Sequence, residues 1–123
     1  MQVFLVEDSP LVRERLKVML GSVPGACIQG CACEAQAAIR EILASRPDVV
    51  VLDLKLAQGS GFDVLRAVHA EAPAIDFYML SNFATEPYRR LAGKLGARDF
   101  FDKSSEFERV RDVIAQRAAA NAV

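Results

Sequence analysis

The sequence predicts an α/β fold: a doubly wound, five-stranded parallel sheet carrying five helices. Three observations predict it. Short apolar runs alternate with stretches of helical periodicity, and the pattern recurs five times along the chain. The strongest runs are continuously apolar, as in strands buried on both faces. Alternation of strand with helix then selects parallel pairing with right-handed crossovers. At 123 residues the chain suits one domain and hardly two, with no repeat, low-complexity segment or internal linker.

The elements follow in order. Val3 to Val6 is the first strand. Pro10 to Leu20 is the first helix, with Leu11, Val12, Leu16, Met19 and Leu20 on one stripe. Gly21 to Gly25 is a break rich in Gly and Pro. Ala26 to Cys33 is a weaker strand, and Glu34 to Ser45 a helix with Ala35, Ala38, Ile39, Ile42 and Leu43 inward. Asp48 to Asp53 is a buried strand that ends at an acid. A loop, Leu54 to Gly61, leads to the third helix, Phe62 to Glu71, which stops before Pro73. Ile75 to Leu80 is the fourth strand. The fourth helix, Glu86 to Leu95, has Pro87 in its first turn and Gly96 just past its end. Ala97 to Asp102 is the fifth strand and Phe107 to Ala119 the fifth helix, with Phe107, Val110, Ile114 and Ala118 as its stripe. Ser105 with Glu108 predicts a capping box at its start. The alanine-rich tail, Gln116 to Val123, extends this helix.

Composition narrows the function classes. Hydrophobic residues make up 52% and charged residues 25%, enough apolar material for a packed core. Fifteen basic against sixteen acidic residues exclude a strongly basic nucleic-acid binder on bulk charge. No apolar run approaches the roughly 18 residues of a membrane span. The start, MQVFLVEDSP, lacks the pattern of a signal peptide. A soluble, cytoplasmic protein is therefore expected. Cys27, Cys31 and Cys33 are a poor disulfide framework and lack metal-binding partners, so they read as small apolar residues on or near a strand. His69 reads as a surface helix residue.

The chemistry collects at the strand ends, where open α/β sheets bind ligands. Strand one ends in Glu7-Asp8, strand three in Asp53, strand four in Ser81 and strand five in Asp102-Lys103. Clustered carboxylates repel one another unless a cation is present. A hard cation such as Mg²⁺ accepts carboxylate oxygens and keeps several waters. Lys103 adds an ammonium with three donors. The set suits a phosphoryl group, whose oxygens the cations neutralise while a carboxylate attacks phosphorus.

These residues, in this order and spacing, resemble the receiver domain of two-component response regulators. The likeness runs from Met1 to about Ala119, and the whole chain, 1–123, is read as one such domain. The resemblance implies the flavodoxin-like strand order 2-1-3-4-5. It implies that Asp53 is the phosphoacceptor, and that Asp8 and Asp53 ligate Mg²⁺ directly, Glu7 through water and Lys55 by its backbone carbonyl. Lys103 would bind the phosphoryl group and Ser81 would donate its hydroxyl to it. Phe101 would be the switch aromatic, moving inward when Ser81 is drawn to the phosphate. The implied partners are a sensor histidine kinase or phosphotransfer protein upstream and a protein partner downstream. The downstream surface would be the fourth helix, fifth strand and fifth helix, where Arg89, Arg90, Lys94, Arg98, Arg109 and Arg111 cluster. A homodimer could form on phosphorylation. Direct nucleic-acid or membrane binding is not expected. Nor is enzymatic activity beyond self-catalysed phosphorylation and dephosphorylation.

The chain departs from the family pattern at three places. Ser104 stands where proline on a cis bond usually follows the lysine. The loop is therefore trans, or it keeps a strained cis bond at about 2.5–4 kcal/mol, with Lys103 shifted but functional. Asn82 stands where a small residue is usual, and Leu56-Ala57 where Met-Pro is common. Lys55 and the bulky Phe83 lie near the entrance to Asp53 in this family. Competing functions fit less well. A metal-dependent phosphohydrolase would place a second acid where Lys55 stands. A flavin-binding domain would need a phosphate-cradling loop where Glu7-Asp8 would repel phosphate. A phosphorylation-independent interaction module on the same fold is the main alternative, against which stands the cost of unused clustered like charges.

Overall fold

The computed structural model describes residues 1–121. Five strands, β1 (Gln2–Val6), β2 (Cys27–Ala32), β3 (Val49–Leu52), β4 (Asp76–Ser81) and β5 (Asp99–Asp102), alternate with five helices. The helices are α1 (Pro10–Gly21), α2 (Ala35–Ser45), α3 (Gly61–Glu71), α4 (Glu86–Lys94) and α5 (Arg109–Asn121). All strand pairs are parallel, in the order β2-β1-β3-β4-β5. The expected fold class and strand order are the observed ones. Ala122 and Val123 of the expected helical tail lie outside the described residues.

Both faces of the sheet are covered, which is why the central strands are continuously apolar. Val3, Leu5, Val49, Val51, Tyr78, Leu80 and Phe101 pack with Leu16 and Leu20 of α1 and Val110, Ile114 and Ala118 of α5. The alternate residues, Phe4, Val6, Val50, Leu52, Phe77, Met79 and Phe100, pack with α2, α3 and Ala92 of α4. Strand β2 is an edge strand and only partly buried, in keeping with its weaker apolar signal. Cys27 and Cys31 of this strand, and Cys33 just past its end, are free thiols.

Four local expectations are corrected. Leu11, placed on the buried stripe of α1, is 74% exposed, because the helix buries Leu16 and Leu20 instead. His69 is half-buried: its ring lies beneath Gly96, whose φ is +109°, and a Cβ at Gly96 would sit 2.7 Å from the imidazole. Phe107 precedes α5, although it is buried with that helix's stripe. The capping box expected at Ser105 and Glu108 does not form, because α5 begins at Arg109 and the Ser105 amide is turned to Asp102.

A capping box forms instead at α3. The Ser60 hydroxyl accepts from the Phe62 amide at 3.0 Å, and Asp63 Oδ2 accepts from the Ser60 amide at 3.1 Å. We expect Ser60→Ala to cost about 1 kcal/mol in chemical denaturation. A midpoint unchanged from the parent chain would contradict that role.

Candidate functional site

The carboxyl ends of β1, β3, β4 and β5 meet at one edge of the sheet because the strands are parallel and in near register. Glu7, Asp8, Asp53, Ser81 and Lys103 converge there. Lys103 Nζ lies 2.7 Å from Glu7 Oε1 and 2.8 Å from Asp53 Oδ2. Asp53 Oδ1 accepts from the Leu54 amide at 2.7 Å, and Glu7 Oε2 from the Ser9 amide at 3.1 Å. Glu7, Asp53 and Ser81 are buried, while Asp8 is exposed at the rim. Each of the three acids offers an oxygen, and these lie within 4.8 Å of one another.

Local structure fixes these groups. Pro10 opens α1 with Ser9 as its N-cap, the hydroxyl accepting from the Val12 amide at 3.3 Å. That sharp strand-to-helix passage leaves Glu7 and Asp8 facing the sheet edge. Arg13 donates to the Glu7 carbonyl at 3.2 Å. After β3 the chain folds back so that the Gly61 amide donates to the Leu54 carbonyl at 2.7 Å. Lys55 is exposed, and its backbone is bridged to Ser60.

A cleft of about 270 Å³ opens over Asp53, lined by Asp8, Ser9, Val12, Lys55, Asn82, Phe83 and Lys103. Asn82 is exposed at its mouth, and Lys55 Nζ sits 5.4 Å from the centre of the Phe83 ring. The Ser81 hydroxyl accepts from the Phe83 amide at 3.1 Å. Phe101 is fully buried, with the Arg109 guanidinium 5.3 Å from its ring centre, so the ring is already inward in this structure. Among the described residues no peptide bond is cis, so Lys103 reaches Asp53 with a trans bond to Ser104.

Asp102, the acid before Lys103, turns away from the cluster: its Oδ1 accepts from the Ser104 and Ser105 amides at 2.7 and 3.3 Å. The arginines of the α4, β5 and α5 face are largely paired within the chain. Arg89 and Arg109 meet Glu106, Arg90 meets Glu86, Arg98 meets Asp76 and Arg111 meets Asp112. Lys94 is without a salt bridge among the described residues. The sequence reading missed the role of Glu106. Its spacing to Arg109 shows only a local ion pair; the partner that ties it to α4, Arg89, stands 17 positions away.

Burial, aided by the nearby Asp53 charge, pushes the Glu7 carboxyl up to about 7 against the pull of its bonds to Lys103 and Ser9. Burial alone would lower Lys103, but its bonds to Asp53 and Glu7 outweigh that and raise it. A carboxyl raised on folding contributes stability that is complete below its unfolded value, here 4.5, and is lost as pH rises through about 7. The metal-free protein should therefore lose stability from this group between roughly pH 5 and pH 8. Glu7→Gln should flatten that part of the profile, measured by denaturation in a chelator. Parallel profiles for the two chains would contradict the assignment.

The fold and this edge of acids, hydroxyl and lysine define a class of signalling domain. The family model for the response regulator receiver domain matches residues 3–115, and the chain belongs to that family. It is 35% identical to a protein-glutamate methylesterase/protein-glutamine glutaminase of Anaeromyxobacter dehalogenans, over 98% of this chain and 36% of that protein. It spans about a third of the length of the curated methylesterases it matches. Among solved structures, a two-component response regulator of the LuxR family from Aurantimonas sp. SI85-9A1 aligns with a TM-score of 0.88 and 26% identity, over 97% of this chain and 85% of that one. The response regulator domain of Thermotoga maritima CheB aligns with a TM-score of 0.85 over 98% of this chain and 94% of that one; at 24% identity it bears on the fold alone. Phosphorylation and Mg²⁺ binding at an acidic cluster are general features of receiver domains. No helix among the described residues is long and apolar enough to cross a membrane.

Proposed function

We propose that this receiver domain is a phosphorylation switch with Asp53 as its phosphoacceptor. The observation that carries the reading is the junction of Asp53 with Lys103 at 2.8 Å beneath an open cleft, beside Glu7 and Asp8. An Asp53 carboxylate oxygen attacks the phosphorus of a phosphohistidine on a histidine kinase or phosphotransfer protein. The O–P bond forms as the N–P bond breaks, and the imidazole leaves with its electron pair and takes up a proton. Lys103 meets the charge on the transferred oxygens, and the Ser81 hydroxyl donates to one of them. For this Ser81 rotates its proton outward while releasing the Phe83 amide it now accepts from.

The donor set fits Mg²⁺: three carboxylates with hard oxygen atoms lie close together, and one ammonium does not neutralise them. Asp8, Asp53 and the Lys55 carbonyl would hold the ion, with Glu7 acting through water. When bound it supplies charge neutralisation for the phosphoryl oxygens. Because Phe101 is already buried, the movement available for switching is that of the Ser81 to Phe83 segment, passed to the following helix.

The output surface in this reading is α4, β5 and α5, facing a downstream protein or a second phosphorylated copy, in the cytoplasm. Exposed Tyr88 lies on the other side of α4, its ring 6.0 Å from that of Phe62 in α3, so the α4 side chains beside β5 are Glu86, Arg89 and Arg90. Internal pairing of the arginines makes it a mixed-charge face and not a cationic patch.

Intact mass after incubation with acetyl phosphate tests the reading. A gain of one phosphoryl group that requires Mg²⁺ supports it. No gain in a folded protein that binds Mg²⁺ contradicts it and favours a phosphorylation-independent interaction module.

A further inference from the structure

Lys103 sits in a loop whose internal bonds form a closed ring. The Glu106 amide donates to the Asp102 carbonyl at 2.8 Å, and the Asp102 amide donates back to Glu106 Oε1 at 3.0 Å. Lys103 lies inside this ring, and its own amide donates to the Ser81 carbonyl at 3.1 Å. The Asp102 carboxylate takes up the Ser104 and Ser105 amides, which point into the same turn. The turn thus has bonds where a proline ring would otherwise restrict it.

Arg89 of α4 clamps the ring from outside. Its Nη2 donates to Glu106 Oε1 at 3.0 Å, Nη1 to the Phe100 carbonyl at 2.7 Å and Nε to the Ala84 carbonyl at 3.1 Å. One guanidinium therefore joins three segments: the loop after Ser81, strand β5 and the Lys103 loop. Each of its three nitrogens serves a different acceptor, a spread that the single nitrogen of a lysine ammonium does not reproduce. Arg109 holds the other Glu106 oxygen at 2.5 Å. An isolated exposed ion pair contributes little, but this one is only 33% and 21% exposed and satisfies backbone acceptors as well.

We propose that Arg89 and Glu106 are positioning residues for Lys103. They hold its loop so that Nζ meets Asp53, and they keep that loop in register with the Ser81 loop across the cleft. The proposal rests on the reading of Asp53 as phosphoacceptor.

The test compares phosphorylation by acetyl phosphate in two backgrounds. Glu106→Ala or Arg89→Ala should lower the maximal rate about tenfold when Lys103 is present. In a Lys103→Ala background the same changes should have almost no further effect, because a positioning residue acts through the group it positions. Glu106→Gln, which keeps an acceptor for the Asp102 amide and Arg89, should retain most of the rate. Equal losses in both backgrounds would reduce Glu106 to a structural role and overturn the proposal. If the unaltered chain takes no phosphoryl group, the phosphoacceptor reading fails first. Amide hydrogen exchange then decides the positioning claim separately. Faster exchange at Asp102 and Glu106 in the Arg89→Ala chain supports the tie, and unchanged exchange overturns it.

Discussion

Asp53→Asn should abolish phosphorylation while leaving the fold intact. The reason is visible in the two oxygens. Oδ1 accepts from the Leu54 amide at 2.7 Å, and the amide oxygen of asparagine can keep that bond. Oδ2 faces Lys103, and there the substitution replaces an anionic oxygen with an NH₂ group that neither attacks phosphorus nor accepts from the ammonium. Lys103 retains Glu7 at 2.7 Å, so no charge is stranded. The expected result is loss of phosphoryl incorporation of at least a hundredfold, with a melting temperature within a few degrees of the parent, since removing one of three clustered acids offsets the lost ion pair. Incorporation at the parent rate would place the acceptor elsewhere.

Gly61→Ala should be the most damaging single methyl group in the domain. A Cβ at position 61 would lie 2.1 Å from the Asp53 carbonyl oxygen and 3.0 Å from the Leu54 Cα. Both neighbours are backbone, so no side chain can rotate aside. Relief requires α3 to move off the end of β3, which breaks the 2.7 Å bond from the Gly61 amide to the Leu54 carbonyl. We expect a cost above about 3 kcal/mol and a fall in melting temperature of about 10 °C or more. Because the displaced atoms carry Asp53, the surviving folded fraction should also phosphorylate slowly. A melting temperature within about 4 °C of the parent, roughly what 1 kcal/mol produces at this length, would show that this close packing is not required.

Much of this was legible in the sequence. The buried parallel sheet shows in the Val-rich runs, since a strand covered on both faces has no polar side to display. The site shows because parallel strands deliver Glu7, Asp8, Asp53, Ser81 and Lys103 to a common edge whatever the helices do. What stayed hidden depends on contacts distant in the chain. Leu11 satisfies the helical period, yet the direction of α1 across the sheet leaves it exposed. His69 looks like a surface residue until the turn at Gly96 closes over it. Ser105 and Glu108 have capping-box spacing, but the Asp102 carboxylate competes for the Ser105 amide and helix α5 starts later. The Arg89 to Glu106 tie joins α4 to the loop before α5, and the spacing of Glu106 to Arg109 announces only a local pair.

The central claim is that Asp53, and no other carboxylate of the cluster, forms the acyl phosphate. The most direct measurement is borohydride reduction of the chain after incubation with acetyl phosphate and Mg²⁺, followed by peptide mass mapping, because hydride converts only the phosphorylated carboxyl to an alcohol. The expected result is a reduced side chain at position 53, with Glu7 and Asp8 unreduced. Reduction at Glu7 or Asp8, with position 53 untouched, would contradict it.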